Sequence, residues 1–186
     1  MINTKEELSS VLRYEQKLYV PDSIGRQVKD IARGSLKRCL WRYVKALRKM
    51  EYYCCTRNDN FFHNLKYYWY SRRVCNLGMK LGIEAEPGVF DSGLRIYHPA
   101  GIVINGDARV GKNCTLHGGN VIGNMGEGTG APVIGHNVRL GHGAKVLGDV
   151  YIADNVQIGA GALVINSCEE KGALLVGVPA RIHQPH

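Results

Sequence analysis

The sequence predicts a parallel β-helix, which is a solenoid of short strands, preceded by an α-helical segment. Aliphatic residues recur every six positions through most of the second half of the chain, which is typical of such solenoids. In the first half, apolar residues recur at helical spacing instead. The charge changes at the same place, because residues 1–82 hold 17 Lys and Arg but 7 Asp and Glu, whereas residues 83–186 hold 7 and 9. We therefore expect two domains, a basic α-helical segment over residues 1–82 and a β-helix over residues 83–186.

Helix signals run through the basic segment. Residues 3–20 form the first predicted helix, which begins where Thr4 and Glu7 have the spacing of a capping box. Apolar spacing predicts a second helix over about residues 26–54 and a third over about residues 60–80. A glycine directly after the third helix is typical of a helix end.

These helices combine basic and aromatic residues, as in LKRCLWRYVKALRKM at residues 36–50 and NLKYYWYSRR at residues 64–73. Basic amphipathic helices can lie on an anionic membrane surface or bind nucleic acid. A solvated basic face on helices that pack against a neighbouring domain or subunit is the simpler interpretation. No nucleic-acid motif occurs in the sequence, so we expect no nucleic-acid partner and keep peripheral membrane contact open.

The six-residue repeat places two side chains inward per unit. Its first position is aliphatic, its fifth is small or apolar, and its second is often glycine, which permits a bend. Each coil of such a solenoid buries its inward residues only against the next coil. The first positions are Ile104, Val110, Leu116, Ile122, Ile134, Leu140, Val146, Ile152, Ile158, Val164, Val176 and Ile182.

The repeat is interrupted beside one histidine. Ile96 and Ala100 take inward places, and the next unit begins at Ile104, which is eight residues after Ile96 instead of six. Two extra residues at one corner should make the backbone bulge there. His98, the third residue of its unit, is then expected to point outward beside the bulge.

Three units would make one triangular coil, so units 18 residues apart are expected to stack on one face. This arithmetic puts His117 and His136 on the same face as His98, on successive coils. It puts Asn124, His142 and Ala160 together on another face. The segment GNMGEGTGAP, residues 123–132, is expected to form a loop.

Other features of the sequence limit its class. It has no run of about 18 apolar residues and no signal peptide at its start, so we expect a cytoplasmic protein. None of the six cysteines forms a CxxC pair, and reduced thiols without a metal site are expected.

Two long segments resemble a known family. HPAGIVINGDARVGKNCTLHGGNVIG at residues 98–123 and IGAGALVINSCEEKGALLVGVPARI at residues 158–182 are similar to the hexapeptide-repeat acyltransferases. The similarity is to the serine acetyltransferase-like branch, including its relatives in capsule and exopolysaccharide synthesis. The resemblance implies a left-handed β-helix, a homotrimer, and acetyl-CoA bound as co-substrate in the groove between neighbouring subunits.

The resemblance also implies roles for single residues. His98 matches the general base, which would take the proton from an acceptor hydroxyl as its oxygen attacks the thioester. An unperturbed imidazole, with a pKa near 6.5, suits this role at neutral pH. A carboxylate upstream would orient this histidine, and Glu84 is the nearest match, with Asp91 as the rival.

The coenzyme contacts carry over in the same way. Asn124, His142 and Ala160 fall at positions whose backbone groups hydrogen-bond the pantetheine arm in the family. Arg181 would reach a CoA phosphate, for which a guanidinium is a suitable partner.

The chain departs from the family pattern at the acceptor. Tyr97 stands where serine acetyltransferases have an Asp, and Gly130 and Ala131 stand where they have an Arg-His pair that recognises serine. We therefore expect the acceptor to be a sugar hydroxyl of a surface-glycan intermediate, bound by Tyr97, His117 and Asp91. A lipid-linked glycan at the inner membrane face would fit the basic helices.

Three alternatives stay open. Serine O-acetylation in cysteine biosynthesis is the first. The second is a zinc-binding protein like the carbonic anhydrase branch of this fold, although the histidine spacing does not match that branch. The third is a non-enzymatic scaffold that uses the β-helix faces for assembly.

Overall fold

The computed structural model of the chain describes residues 1–58, 60–126 and 128–183. The chain folds into two compact units, an α-helical unit over Met1–Leu81 and a unit of β-strands over Gly82–His186. Position 127 of the expected loop and positions 184–186 of the expected second domain lie outside the described residues.

The helical unit contains α1 (Lys5–Tyr19), α2 (Ile24–Ala32), α3 (Leu36–Thr56) and α4 (Phe61–Leu81). The predicted capping box begins α1, because the Thr4 hydroxyl accepts a hydrogen bond from the Glu7 amide at 3.1 Å. In return, the Glu7 carboxylate accepts one from the Thr4 amide at 3.2 Å. These bonds satisfy amide groups that the first turn of a helix leaves without partners.

The prediction of one helix over residues 26–54 is wrong, since α2 and α3 are separate. The break occurs at Gly34, whose φ of 65° lies in the left-handed region where helices commonly end. Ser35 is then the N-cap of α3. Val28 and Ile31, whose spacing suggested the longer helix, are exposed side chains of α2. Apolar spacing indicates a helix but does not show that a neighbouring element covers its apolar face.

A buried ion-pair network ties α1 to α3. Arg48 of α3 is fully buried and lies 2.8 Å from the Glu15 carboxylate of α1 and 3.0 Å from the Glu51 carboxylate. Glu51 also accepts a hydrogen bond from the Ile2 amide at 3.1 Å. Burial alone lowers the pKa of Arg48, but Glu15 and then Glu51 outweigh it, so the pKa lies above its ordinary value. The guanidinium therefore stays charged, and each buried charge has a partner.

The second unit is a parallel β-helix with three faces. Its strands are β1 Ile83–Glu84, β2 Arg95–Ile96, β3 Ile102–Ile104, β4 Arg109–Val110, β5 Thr115–Leu116, β6 Val121–Gly123, β7 Val133–Ile134, β8 Arg139–Leu140, β9 Lys145–Leu147, β10 Tyr151–Ile152, β11 Gln157–Ile158, β12 Leu163–Val164, β13 Leu174–Gly177 and β14 Ala180–Ile182. The first face consists of β1, β3, β6, β9 and β12, the second of β4, β7 and β10, and the third of β2, β5, β8, β11 and β13, with β14 antiparallel to β13.

The core of the β-helix follows the six-residue repeat. Every predicted first position from Ile104 to Val164 is buried, and so is every fifth position from Ala108 to Cys168. Fully burying one aliphatic side chain contributes about 1.5–3 kcal/mol. The two last predicted inward residues, Val176 and Ile182, are instead exposed. The reason is that β13 pairs with β14 as an antiparallel hairpin, which ends the coil.

The corner after β2 also differs from the prediction. Ala100 is exposed rather than inward, and its φ of 82° makes it part of the turn. Ile102 takes the inward place instead and is buried. The two extra residues of the interrupted repeat are thus absorbed in a left-handed turn.

The predicted stacking of faces is wrong across the loop at residues 123–132. Leu116 pairs with Leu140, not with Ile134, and Ile122 pairs with Val146. The twelve-residue step from Ile122 to Ile134 makes one corner with a long loop, whereas the repeat arithmetic had treated it as two sides. Units on either side of the loop therefore stack 24 residues apart. The six-residue repeat thus keeps its phase across a long loop, but the loop changes which units stack on the same face.

We expect Arg48→Ala to lower the free energy of unfolding by about 3–5 kcal/mol, because two buried carboxylates lose their cation. Urea unfolding followed by circular dichroism measures this change. Lys5→Ala, at an exposed position of α1, is the control and should change stability by less than about 0.5 kcal/mol. A loss in Arg48→Ala no larger than in this control would contradict the role of the network.

Candidate active site

The candidate base lies at the corner between β2 and β3. His98 is exposed, as the repeat count predicted, and follows the last residue of β2 by two positions. Ala100 and Gly101 then turn the chain with φ values of 82° and 68°. The Ala100 carbonyl accepts a hydrogen bond from the Gly119 amide of the next coil at 2.9 Å. The backbone that presents this imidazole is therefore held by the neighbouring coil.

The strand register places a column of residues at this corner. Ile96, Leu116, Leu140 and Ile158 are successive partners across β2, β5, β8 and β11. Two residues after each of them come His98, Gly118, His142 and Ala160. The expected grouping of His142 with Ala160 is thus retained, and the column includes the candidate base. Asn124 follows β6 on the first face, so its predicted place in this column is wrong.

The structure requires a glycine at position 118. A Cβ atom there would lie 2.9 Å from the His98 carbonyl oxygen and 3.4 Å from Nδ1 of His142. Its φ of 100° also disfavours any side chain. Nδ1 of His142 in turn lies 3.3 Å from the His117 carbonyl oxygen, to which it can donate a hydrogen bond. The glycine lets the two imidazoles share one corner.

Asn120 holds the backbone of this corner from inside and was not predicted as a site residue. Its side chain is fully buried, and its oxygen accepts a hydrogen bond from the Gly118 amide at 2.9 Å. Its nitrogen donates to the carbonyl oxygens of Gly141 at 2.7 Å and Ala144 at 3.3 Å. The sequence did contain a signal, since Asn120 is an amide in a fifth position, where the other units have alanine, valine or cysteine.

An aromatic stack stands beside His98. The Tyr97 and His117 rings are parallel within 6° with centroids 4.7 Å apart, and the Arg95 guanidinium lies 4.5 Å from the Tyr97 centroid. Desolvation lowers the pKa of His117, and the charges of Arg139, His98 and Arg95 lower it further. His117 is therefore neutral at pH 7. His117 lies on the same face as the candidate base, as predicted. The same prediction for His136 is wrong, because His136 follows β7 on the second face.

The two carboxylate candidates lie at different corners. Glu84 is in β1, where its Cα partner is Val103 of β3, on the face that the chain enters after His98. Asp91 follows Phe90, which bridges to Val110, so it lies at the turn before β2 while His98 lies at the turn after it. The structure therefore does not bring Asp91 to the corner of the candidate base. That Glu84 orients His98 remains a prediction.

The other predicted residues lie outside this corner. Arg181 is an exposed residue of β14, opposite Val176 in the terminal hairpin. Gly130 and Ala131 belong to the loop that follows β6. Within residues 1–58, 60–126 and 128–183, no three His, Cys, Asp or Glu side chains are grouped so that they could hold a metal ion. None of the described helices is long and apolar enough to cross a membrane.

Comparison with known proteins agrees with this architecture. The family described as bacterial transferase hexapeptide (six repeats) matches residues 131–166. A serine acetyltransferase of Helicobacter pylori is 34% identical over 131 residues, which are 68% of this chain and 76% of that protein. The chain belongs to the serine acetyltransferase branch of the hexapeptide-repeat acyltransferases. This membership confirms the predicted enzyme class, an acetyl-CoA-dependent O-acetyltransferase.

Solved serine acetyltransferases share the fold. The crystal structure of the enzyme from Brucella abortus superposes with a TM-score of 0.75 at 23% identity, covering 96% of this chain and 70% of that one. A structure of the Brucella abortus enzyme in complex with coenzyme A gives a TM-score of 0.73 at 24% identity, covering 96% and 68%. The predicted left-handed parallel β-helix with N-terminal helices is thereby confirmed.

We expect Gly118→Ala to lower acetyl transfer by about 10- to 100-fold, because the added Cβ displaces the backbone and imidazole of His98. The rate of CoA release from acetyl-CoA measures this loss.

Gly172→Ala is the matched control, since its φ of 77° is similar but a Cβ there meets nothing within 4 Å. It carries the same backbone strain without the displacement and should keep nearly full activity. Equal activities of the two variants would contradict the importance of the close approach at Gly118.

Proposed function

We propose that this protein transfers the acetyl group of acetyl-CoA to the hydroxyl of L-serine, with His98 as general base. The observation that carries the proposal is an exposed imidazole at the corner of a β-helix whose relatives are named serine acetyltransferases. These names favour the alternative of the sequence analysis over its preferred acceptor. Neither a sugar acceptor nor a place in polysaccharide synthesis receives support from the comparisons.

The chemistry needs one proton acceptor and no change of oxidation state. His98 takes the proton of the serine hydroxyl as the oxygen attacks the carbonyl carbon of the thioester. The carbon–sulfur bond then breaks, and the imidazolium returns the proton to the departing thiolate, which leaves as CoA. A positioned general base contributes about 10²- to 10⁴-fold to such a reaction.

The acceptor would lie against the stack of Tyr97 and His117. Arg95 and Arg139 make this wall positive, and it would therefore attract the serine carboxylate. Because His117 is neutral at pH 7, it can accept a hydrogen bond from the acceptor as well as donate one. This chain would then recognise serine with residues other than those implied at Gly130 and Ala131, and Asp91 lies outside the proposed pocket.

Acetyl-CoA would run along the column that continues from the base. The pantetheine arm would lie beside His142 and Ala160, which stand one and two coils beyond Gly118 in the strand register. Arg181 remains the proposed partner of a CoA phosphate. We place this reaction in the cytoplasm, and the expected contact of the basic helices with a membrane is not supported by the relatives.

Assembly as a homotrimer is part of the proposal. Val103, Val133 and Tyr151 project from β3, β7 and β10 and are 44–45% exposed, which suits faces that meet a neighbouring subunit. We expect sedimentation equilibrium to give three times the chain mass of 20.6 kDa. A species of single-chain mass at micromolar concentration would contradict the trimer.

The decisive test is acetyl transfer by purified protein, followed by the free thiol of released CoA. We expect turnover with L-serine and a loss in kcat/KM of at least about 100-fold in His98→Ala. His183→Ala, which removes an exposed imidazole of the same unit, is the control and should retain activity.

Two results would overturn the proposal. Near-normal turnover of His98→Ala would remove the assigned base. A higher kcat/KM on free or nucleotide-linked sugars than on L-serine would show that the acceptor is a sugar hydroxyl and not serine.

A further inference from the structure

The helical unit has a basic groove, and none of the residues assigned to acetyl transfer lines it. It has a volume of about 460 Å³ and lies where α3 meets α1, α2 and α4. An adjoining depression of about 270 Å³ shares three of its residues and adds Arg72. The groove is lined by Gln16, Val20, Gln27, Arg38, Trp41, Arg42, Lys45, Ala46, Lys49, Trp69, Tyr70 and Arg73.

Five of these lining residues are cations and none is a carboxylate. Arg38, Arg42, Lys45 and Lys49 follow one another at spacings of four, three and four residues, which places them on one side of α3. Within the described chain, the side chains of Arg38, Arg42 and Lys45 form no ion pair with a carboxylate. Like charges at this density repel one another and raise the local potential for an anion.

Arg48, on the same helix, differs from the groove cations because carboxylates neutralise its charge. Arg48 faces the core and meets two carboxylates at 2.8 and 3.0 Å. The groove side of α3 has no such partners, although α1 supplies Glu15 only one residue before Gln16. Glu15 and Glu51 thus pair with Arg48 in the core, and no carboxylate lines the groove.

Two groove cations are held in place by aromatic rings. Lys49 donates a hydrogen bond to the Tyr70 hydroxyl at 3.1 Å, and the Arg73 guanidinium lies 5.3 Å from the Trp69 centroid. Trp41 is buried and forms part of the groove wall. The aromatic rings preorganise the Lys49 and Arg73 side chains, while Arg42 and Lys45 extend into solvent at the rim.

We propose that this groove binds a small ligand that carries phosphate groups with two or more negative charges. A single carboxylate is satisfied by one arginine, whereas a phosphate offers three acceptor oxygens and several charges to several donors. The concave shape and the volume suit a small molecule or a single headgroup. The groove lies within the helical unit, so the inference does not depend on the identity of the acceptor.

The test uses the whole protein and inorganic pyrophosphate as the probe. Pyrophosphate at about 100 times its Kd should raise the Tm by about 5–10 °C, compared with sodium chloride at equal ionic strength. Isothermal titration should show that Arg42→Gln/Lys45→Gln weakens binding by at least about tenfold.

Lys5→Gln/Lys80→Gln is the matched control, because it removes two exposed charges of the same unit that do not line the groove. It should bind pyrophosphate as the wild type does. An equal loss of affinity in both double variants would assign binding to net charge and overturn the site.

A second experiment distinguishes a free phosphate from a lipid headgroup. Sedimentation with vesicles of phosphatidylglycerol and of phosphatidylcholine compares the same three proteins. Binding to the anionic vesicles that only the groove variant loses would identify a headgroup, whereas pyrophosphate binding alone would identify a soluble ligand. The absence of both, with wild-type stability intact, would overturn the proposal.

Discussion

The inward side chains of each coil can be buried only by the coils above and below, and the rest of the β-helix depends on this constraint. Parallel register follows from it, since Ile96, Leu116, Leu140 and Ile158 must lie over one another to exclude water. Once these residues are stacked, the strand register determines where each outward residue lies. His98, Gly118 and His142 share a corner because the core residues two positions before them share a face.

The chemistry of the corner is set by what lies between the coils. Gly118 leaves room for His98 and His142, and the Asn120 side chain accepts a hydrogen bond from the Gly118 amide that a valine or alanine could not accept. Outside, the candidate base has the aromatic Tyr97–His117 stack beside it, and the Arg95 guanidinium next to that stack supplies positive charge. Among the described residues, the otherwise apolar core of the β-helix thus has a buried amide, Asn120, at the corner that presents the candidate base.

In the helical unit, charged side chains are paired in the core and unpaired at the groove. Its core contains a full ion-pair network around Arg48, in which every buried charge has an opposite partner. On the same helix, Arg42 and Lys45, six and three residues before Arg48, line a groove whose lining has no carboxylate. Burial makes an unpaired charge costly, so the buried Arg48 has carboxylate partners, whereas water tolerates the unpaired cations at the groove. Five of the 17 Lys and Arg of residues 1–82 line this groove.

The sequence by itself determined the repeat, the inward positions from Ile104 to Val164, the capping box of α1 and the outward place of His98. These follow from periods of six and 3.6 residues and from hydrogen bonds between near neighbours, all of which are local along the chain. The tertiary structure decided which units stack. The loop at residues 123–132 keeps the phase of the repeat but occupies one corner, and so His136 and Asn124 lie on other faces than expected. It also decided the role of Asn120 and the partners of Arg48. Each of these depends on contacts between residues far apart in sequence, which no local period records.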